Sequence, residues 1–259
     1  MAERPDTTRL KADFSAAAAD YDSYAELQRL IRADALAMAA NIWPPGSHIL
    51  DVGCGTGSFA LESRQEGLNW HITGVDIAPG MARAASRHLY SAAADATELP
   101  FADESFHGLF SCLMLQWLPK PQAALREMWR VLRPGGIAVV STFTDGTLEE
   151  LRASFATLDD SPRVMPFLAP IDISAHAAHV GFALIAAEEE EFVERYTTLA
   201  SLMQAIKLIG AGNKHENRRR GMLTPRQLAK VEAHYRRTFG DAESIPATWQ
   251  AFTLVLEKP

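Results

Sequence analysis

The sequence has 259 residues, of which 47% are hydrophobic and 22% charged, a balance that excludes a disordered or fibrous chain. Residues 1–14 lack the apolar core of a secretory signal. The sequence contains no run of about 18 apolar residues, so we expect no membrane-spanning segment and no membrane partner. The formal net charge of −7 argues against nucleic acid as a partner. Cys54 and Cys112 have no disulfide or zinc spacing, which favours a cytoplasmic location.

The N-terminal part of the chain is predicted to be helical. Alanine-rich stretches favour helix, and apolar residues recur at helical spacing through residues 23–42. The sequence Trp43-Pro44-Pro45-Gly46 ends that helix. We therefore expect residues 10–42 to form a helical cover that precedes the core.

Strands alternate with helices between about residues 45 and 145. The predicted strands are 48–52, 71–75, 90–93, 106–114 and 137–143. The predicted helices between them are 58–66, 79–89 and 122–132. This alternation is typical of an α/β fold with a parallel sheet and right-handed crossovers.

The pattern is looser after residue 145. It predicts a helix at 148–158, a loop over 159–175, a strand at 182–196, a helix at 198–209 and a last strand at 249–257. We expect residues 146–259 to complete the sheet and to add a lid over it. No linker separates a second domain, so residues 1–259 are predicted to form a single domain.

A glycine-rich loop follows the first predicted strand and contains Gly53, Gly55 and Gly57. Glycine lets the backbone turn tightly and approach a ligand closely. Asp76 ends the next strand, where a carboxylate can accept hydrogen bonds from a ribose diol. Asp51 precedes the loop and would repel a pyrophosphate, but it would attract a ligand with an ammonium and a sulfonium group. S-adenosylmethionine is such a ligand.

These residues resemble the first motif of the class I S-adenosylmethionine-dependent methyltransferases. Asp95-Ala96 with Leu99-Pro100, Ser105-Phe106-His107 and residues 131–136 match later motifs, although the family usually has Asp where this chain has His107. The resemblance implies a Rossmann-like, mostly parallel, seven-stranded sheet flanked by helices. It also implies S-adenosylmethionine as methyl donor, S-adenosylhomocysteine as product and no metal. The cofactor-binding residues that it implies are Asp51, Gly53, Gly55, Gly57, Asp76, Ile77, Met81, Asp95, Ala96 and Cys112.

Three other segments are similar to the malonyl-[acyl-carrier protein] O-methyltransferases of biotin synthesis: residues 14–28, 115–118 and 202–211. This resemblance spans nearly the whole chain. It implies methylation of the free carboxylate of a malonyl thioester, so that fatty-acid enzymes can elongate the ester toward pimeloyl. Three alternatives remain: a carboxyl methyltransferase of the trans-aconitate type, another small-molecule methyltransferase, and a regulatory protein that binds the cofactor without turnover.

A carboxylate acceptor needs little acid–base chemistry. With a pKa near 4, it is already ionised at pH 7, so methyl transfer requires no general base. We expect Tyr21 and Trp117 to be the catalytic residues, which offer a hydroxyl and an indole N–H to the carboxylate. Tyr24 and Gln116 are expected to bind the substrate.

Positive charge is concentrated between residues 205 and 240, a segment that contains nine Lys or Arg residues and two Asp or Glu residues. We interpret this segment as a docking face for an acidic acyl-carrier protein that carries the malonyl thioester, because complementary charge speeds and orients encounter. The residues assigned to it are Lys207, Arg218, Arg219 and Arg220. A solvated loop and helix face is the alternative, and malonyl-CoA remains open as an acceptor.

Overall fold

A computed structural model describes residues 7–118, 120–159, 163–209 and 223–259. Its strands are β1 (His48–Val52), β2 (His71–Asp76), β3 (Tyr90–Ala93), β4 (Phe106–Cys112), β5 (Leu132–Phe143), β6 (Ala183–Tyr196) and β7 (Ile245–Glu257). The first helices are α1 (Thr7–Ala17), α2 (Tyr21–Tyr24), α3 (Glu26–Ala40), α4 (Ser58–Gln65) and α5 (Pro79–Ala85). They are followed by α6 (Pro121–Val131), α7 (Glu149–Ala156), α8 (Pro170–Val180), α9 (Leu199–Leu208) and α10 (Pro225–Phe239).

The seven strands form one sheet in the order β3-β2-β1-β4-β5-β7-β6. Strands β1 to β5 pair in parallel, and β7 lies antiparallel between β5 and β6. The predicted mostly parallel, seven-stranded sheet is confirmed. Strand order reverses between β1 and β4, and ligands bind at the carboxyl ends of strands beside such a reversal.

Both faces of the central strands are buried, as expected for parallel strands between two helical layers. On one face, Leu50, Leu109 and Val140 pack with residues of α6. On the other face, Ile49, Phe110 and Val139 pack with Ala35 and Ala39 of α3. This two-sided core fixes the carboxyl ends of β1 and β4.

Several boundaries differ from the sequence prediction. Helix α8 occupies the end of the predicted 159–175 loop and begins at Pro170, a position where the missing N–H of proline is tolerated. Helix α10 was not predicted, although Thr224 and Gln227 form a capping box at its start. Strand β4 ends at Cys112 rather than at residue 114, because Leu113 adopts a φ of 55°.

The N-terminal helices contact the glycine loop and α5. Asp22 of α2 accepts hydrogen bonds from the hydroxyls of Thr56 (2.8 Å) and Ser58 (3.1 Å). Ser15 of α1 accepts one from the backbone N–H of Gly80 (3.1 Å), where a Cβ would lie 2.6 Å from the Ser15 Cα. The cover therefore approaches the loop closely. Within the described ranges, no helix is long and apolar enough to cross a membrane.

Candidate active site

A cavity of about 1340 Å³, including its open mouth, lies at the carboxyl ends of the central strands. The N-terminal cover, the loops after β1, β2, β3 and β4, and the segment after α7 all contribute to its walls. Sequence-predicted residues among those lining it are Tyr21, Gly53, Gly55, Asp76, Ile77, Met81, Asp95, Ala96, Cys112, Gln116 and Trp117. Most of the predicted site residues therefore surround one space.

Asp76 is held at the end of β2 by two backbone groups. Its Oδ2 accepts the N–H of Gly55 at 3.0 Å, and its Oδ1 accepts the N–H of Ala78 at 2.8 Å. Burial raises the pKa of Asp76 to about 6, while these two hydrogen bonds oppose the rise. Each carboxylate oxygen retains a further lone pair that a ligand hydroxyl can use.

Asp51 is buried near the end of β1, directly before the glycine loop. Only 2% of it is exposed, and its Oδ2 has no hydrogen-bond partner. Burial raises its pKa to about 8, with the charge of Arg32 lowering it and that of Asp76 raising it. Asp51 and Arg32 line a second cavity of about 420 Å³ that shares Tyr21 and other lining residues with the first.

Arg32 was missed by the sequence prediction because nothing in its local sequence distinguishes it from a solvated helix residue. Its guanidinium donates to both oxygens of Glu62 at 2.6 and 2.7 Å, and 13% of its side chain is exposed. A buried acid with an unpartnered oxygen lies beside this cation. Such a pair suits a ligand that carries both an ammonium and a carboxylate.

The side of the cavity formed by the cover and β4 contains three predicted residues. The ring of Phe14 meets that of Trp117 edge to face at 5.4 Å and lies 6.5 Å from that of Tyr21. Gln116 donates to the Leu113 carbonyl at 2.8 Å and accepts from Thr142 at 3.0 Å, which fixes its amide. The site thus holds its donors in defined positions.

Burial also sets the protonation of two other lining groups. Burial, the largest contribution, raises the pKa of Tyr21 above its ordinary value near 10, so the hydroxyl stays protonated and can donate. Burial raises the pKa of the Cys112 thiol to about 12, which keeps it from acting as a thiolate nucleophile.

Among the described residues, Tyr24, Gly57 and Lys207 are predicted site residues that lie outside both cavity linings. Tyr24 is 51% exposed on α2. Gly57 has a φ of 87°, and a Cβ there would lie 2.7 Å from Leu89 and 3.1 Å from the Ala85 Cα. Its glycine is required for close packing of the loop against α5, rather than for a contact with the cavity.

The basic segment is only partly described. Lys207 is exposed on α9, and its neighbour Ile206 lines the cavity. Arg218, Arg219 and Arg220 lie outside the described residues. Where side chains are described, no group of three His, Cys, Asp or Glu residues could hold a metal ion.

Comparisons with known proteins agree with this geometry. A family model described as a methyltransferase domain matches residues 50–140. The chain is 33% identical to the malonyl-[acyl-carrier protein] O-methyltransferase of Methylococcus capsulatus, over 100% of this chain and 96% of the relative. It is 35% identical to the enzyme of the same name from Geobacter sulfurreducens, over 94% of this chain and 96% of the relative.

The fold has solved counterparts as well. The geranyl diphosphate C-methyltransferase of Streptomyces coelicolor, solved with S-adenosyl-L-homocysteine, superposes with a TM-score of 0.55 over 91% of this chain and 82% of that one. At 15% identity this likeness shows the fold alone. The 33% and 35% identities to the two relatives extend over nearly the whole chain. They show that the chain belongs to the malonyl-[acyl-carrier protein] O-methyltransferase family.

Proposed function

We propose that this chain transfers a methyl group from S-adenosylmethionine to the free carboxylate of a malonyl thioester on an acyl-carrier protein. The product is the malonyl methyl ester that primes pimeloyl formation in biotin synthesis. One observation carries the proposal: a single cavity joins the acids Asp76 and Asp95 to the donors Tyr21 and Trp117. The names of the near full-length relatives support the same acceptor.

The described residues fit the cofactor. Asp76 suits the ribose hydroxyls, and Asp95 with Ala96 lines the side expected for adenine. The unpartnered oxygen of Asp51 suits the ammonium, and Arg32 suits the carboxylate of the methionine part. When bound, S-adenosylmethionine supplies a sulfonium methyl, which the substrate oxygen takes as the C–S bond breaks and its electron pair passes to sulfur.

The chain's own residues position the reacting carboxylate. The protonated hydroxyl of Tyr21 and the indole N–H of Trp117 donate to it, and the fixed amide of Gln116 borders it. No proton is removed, because the acceptor is already ionised. A negative oxygen and a positive sulfur become neutral together, so a dry apolar cavity favours the step. Positioning of this kind supplies about 7–11 kcal/mol.

We also propose that basic residues on α9 and α10, which we call the lid helices, dock the carrier protein. Lys207 is exposed on α9, whose end borders the cavity through Ile206 and Ile209. On α10, the exposed residues Arg226, Lys230 and Arg237 recur at helical spacing, and so they share one face. An acidic carrier is complementary to that charge.

The proposal is tested by incubating the protein with labelled S-adenosylmethionine and, in parallel, malonyl-carrier protein, malonyl-CoA and trans-aconitate. We expect the label on malonyl-carrier protein as a base-labile methyl ester. Carrier protein loaded with the preformed malonyl methyl ester is the matched control, and it should gain no label.

Two results would contradict the proposal, each in favour of a different alternative. Label on trans-aconitate alone would indicate a small-acid methyltransferase. Binding of S-adenosylhomocysteine without transfer to any acceptor would indicate a regulatory protein.

A further inference from the structure

We propose that Arg163 recognises the carboxylate of the acyl substrate and so distinguishes the free acid from its ester. The inference rests on the proposed function and adds a residue that no sequence motif indicates. Arg163 lies in the segment between α7 and α8 and lines the main cavity.

The side chain of Arg163 is largely buried, and its guanidinium is only partly paired. Its side chain is 9% exposed, and its Nη2 donates to both carboxylate oxygens of Asp159 at 2.8 and 3.0 Å. Its Cζ lies 5.2 Å from the centre of the Phe155 ring. The Nε is buried and has no hydrogen-bond partner. A buried guanidinium N–H without an acceptor is unfavourable, so a ligand oxygen that meets it is strongly favoured.

Trp249 of β7 also lines the main cavity and carries a second unpartnered donor. Its ring centre lies 5.1 Å from that of Phe143, and it is 4% exposed. Its Nε1 is also buried without a partner. Arg163 and Trp249 can only donate hydrogen bonds, so the ligand that complements them presents acceptor oxygens, as a carboxylate does.

The distribution of charge favours an anion at Arg163. Among the described residues that line the main cavity, the charged ones are Asp76, Asp95 and Arg163. The two acids belong to the cofactor side, which leaves Arg163 as the cation. A carboxylate gains a charge-assisted hydrogen bond there, whereas the neutral ester product gains none. The same contact therefore selects the acid and weakens the hold on the product.

The test compares R163Q, R163K and the control R152Q. Arg152 is the matched control because it pairs with Glu149 on the surface of α7 and lies outside the cavity lining. Steady-state rates with malonyl-carrier protein give KM and kcat. Separately, binding of malonyl-pantetheine and of its methyl ester to the protein saturated with S-adenosylhomocysteine gives the preference for acid over ester.

For R163Q we expect KM to rise about 10- to 100-fold, the effect of losing a hydrogen bond between charged groups, with kcat changed much less. The preference for the acid should disappear, R163K should restore part of it, and R152Q should match the wild type. W249F, which removes the indole N–H and leaves a smaller aromatic ring, should weaken acid binding about 2- to 10-fold.

Wild-type KM and an intact acid preference in R163Q would overturn the inference while leaving the proposed function in place. If R163Q does not fold, as judged by Tm and S-adenosylhomocysteine binding, an intact preference in R163K and W249F overturns it equally. If the wild type methylates trans-aconitate instead, the proposed function fails, and the same acid and ester comparison is made with that acid.

Discussion

At the scale of single residues, the ionised carboxylate of Asp51 favours binding of a cationic ligand but destabilises the ligand-free fold. Its pKa is near 3.8 in an unfolded chain and about 8 in the fold. The fold therefore prefers the protonated form, and this contribution to stability is fully present below about pH 4 and is lost as the pH rises through 8. A cationic ligand reverses the preference, because it favours the ionised carboxylate.

We expect D51N to stabilise the ligand-free protein at pH 8 by at least about 1 kcal/mol, or about 2–4 °C in Tm, with little change at pH 4. Its affinity for S-adenosylhomocysteine should fall about tenfold or more, and the rise of wild-type affinity between pH 6 and 8 should flatten. Thermal melts and calorimetric titrations against pH measure both effects. D145N, at an exposed acid, is the control. An unchanged Tm at pH 8 would exclude the stability effect.

Tyr21 and Trp117 carry the catalytic assignment, and their donor groups can be removed one at a time. We expect Y21F and W117F each to lower kcat about tenfold or more, because each loses a hydrogen bond that holds the carboxylate in line. Y90F, at a tyrosine that is 77% exposed, should leave turnover unchanged. Wild-type turnover in both cavity variants would remove these roles.

The residues that the sequence identified are those with a local pattern. Gly53 and Gly55 follow β1, Asp76 ends β2, and all three line the cavity. Arg163 has no such pattern, because its neighbours are brought together only by the folded chain. Tyr24 shares a helical stretch with Tyr21, but α2 is a single turn that leaves it exposed.

At the scale of elements, the short helix α2 joins the cover to the glycine loop. The Asp22 carboxylate accepts from Thr56 and Ser58, and it holds Tyr21 beside the cavity. We call these two hydrogen bonds of Asp22 the latch. The bond to Ser58 is exposed and the bond to Thr56 is partly buried, and α2 itself contains no buried residue. We infer that the latch opens and closes more readily than the core does.

We expect D22A to weaken S-adenosylhomocysteine binding several-fold and to speed proteolysis between residues 17 and 25, with Tm changed by less than about 3 °C. D20A is the matched control, because Asp20 caps α2 without a side-chain hydrogen bond. Limited proteolysis with and without the ligand measures the opening. Equal cleavage of D22A, D20A and the wild type would contradict the latch.

Elements were predictable from sequence where periodicity was strong. Strands β1 to β4 lie within two residues of their predicted bounds, because short apolar runs between turn signals are typical of buried strands. Strand β5 begins at Leu132 rather than at the predicted residue 137. Helices α8 and α10 were not predicted, since α8 lies in a stretch with several prolines. The capping box at Thr224 was the available signal for α10, and its apolar residues, such as Val231 and Tyr235, belong to a core cluster built largely from distant parts of the chain.

At the scale of the whole molecule, the sheet links distant parts of the sequence. β7 lies between β5 and β6, and the same cavity is lined by residues from the cover, the core and the segment after α7. We infer that the described residues act as one domain. The described basic residues of α9 and α10 then belong to the same body as the site, so docking there can direct a tethered acyl group toward the cavity.

This arrangement predicts that charge on the lid helices affects only substrates carried by a protein. In the triple variant K207E, R226E and R237E, we expect KM for malonyl-carrier protein to rise about tenfold or more, because a charge-complementary surface becomes repulsive. KM for malonyl-pantetheine, which has no protein surface, should change less than about twofold. The difference in KM for malonyl-carrier protein between the wild type and the triple variant should also shrink as salt rises from about 50 to 300 mM, because salt screens exposed charges.

R87E is the control for charge reversal, because Arg87 is exposed before β3, at the opposite edge of the sheet from β6. Its KM for both acceptors should stay near that of the wild type. Equal increases for malonyl-carrier protein and malonyl-pantetheine in the triple variant would mean that these residues shape the cavity and do not dock a carrier. A selective increase places recognition of the carrier on the lid helices and leaves the choice of acyl group to the cavity.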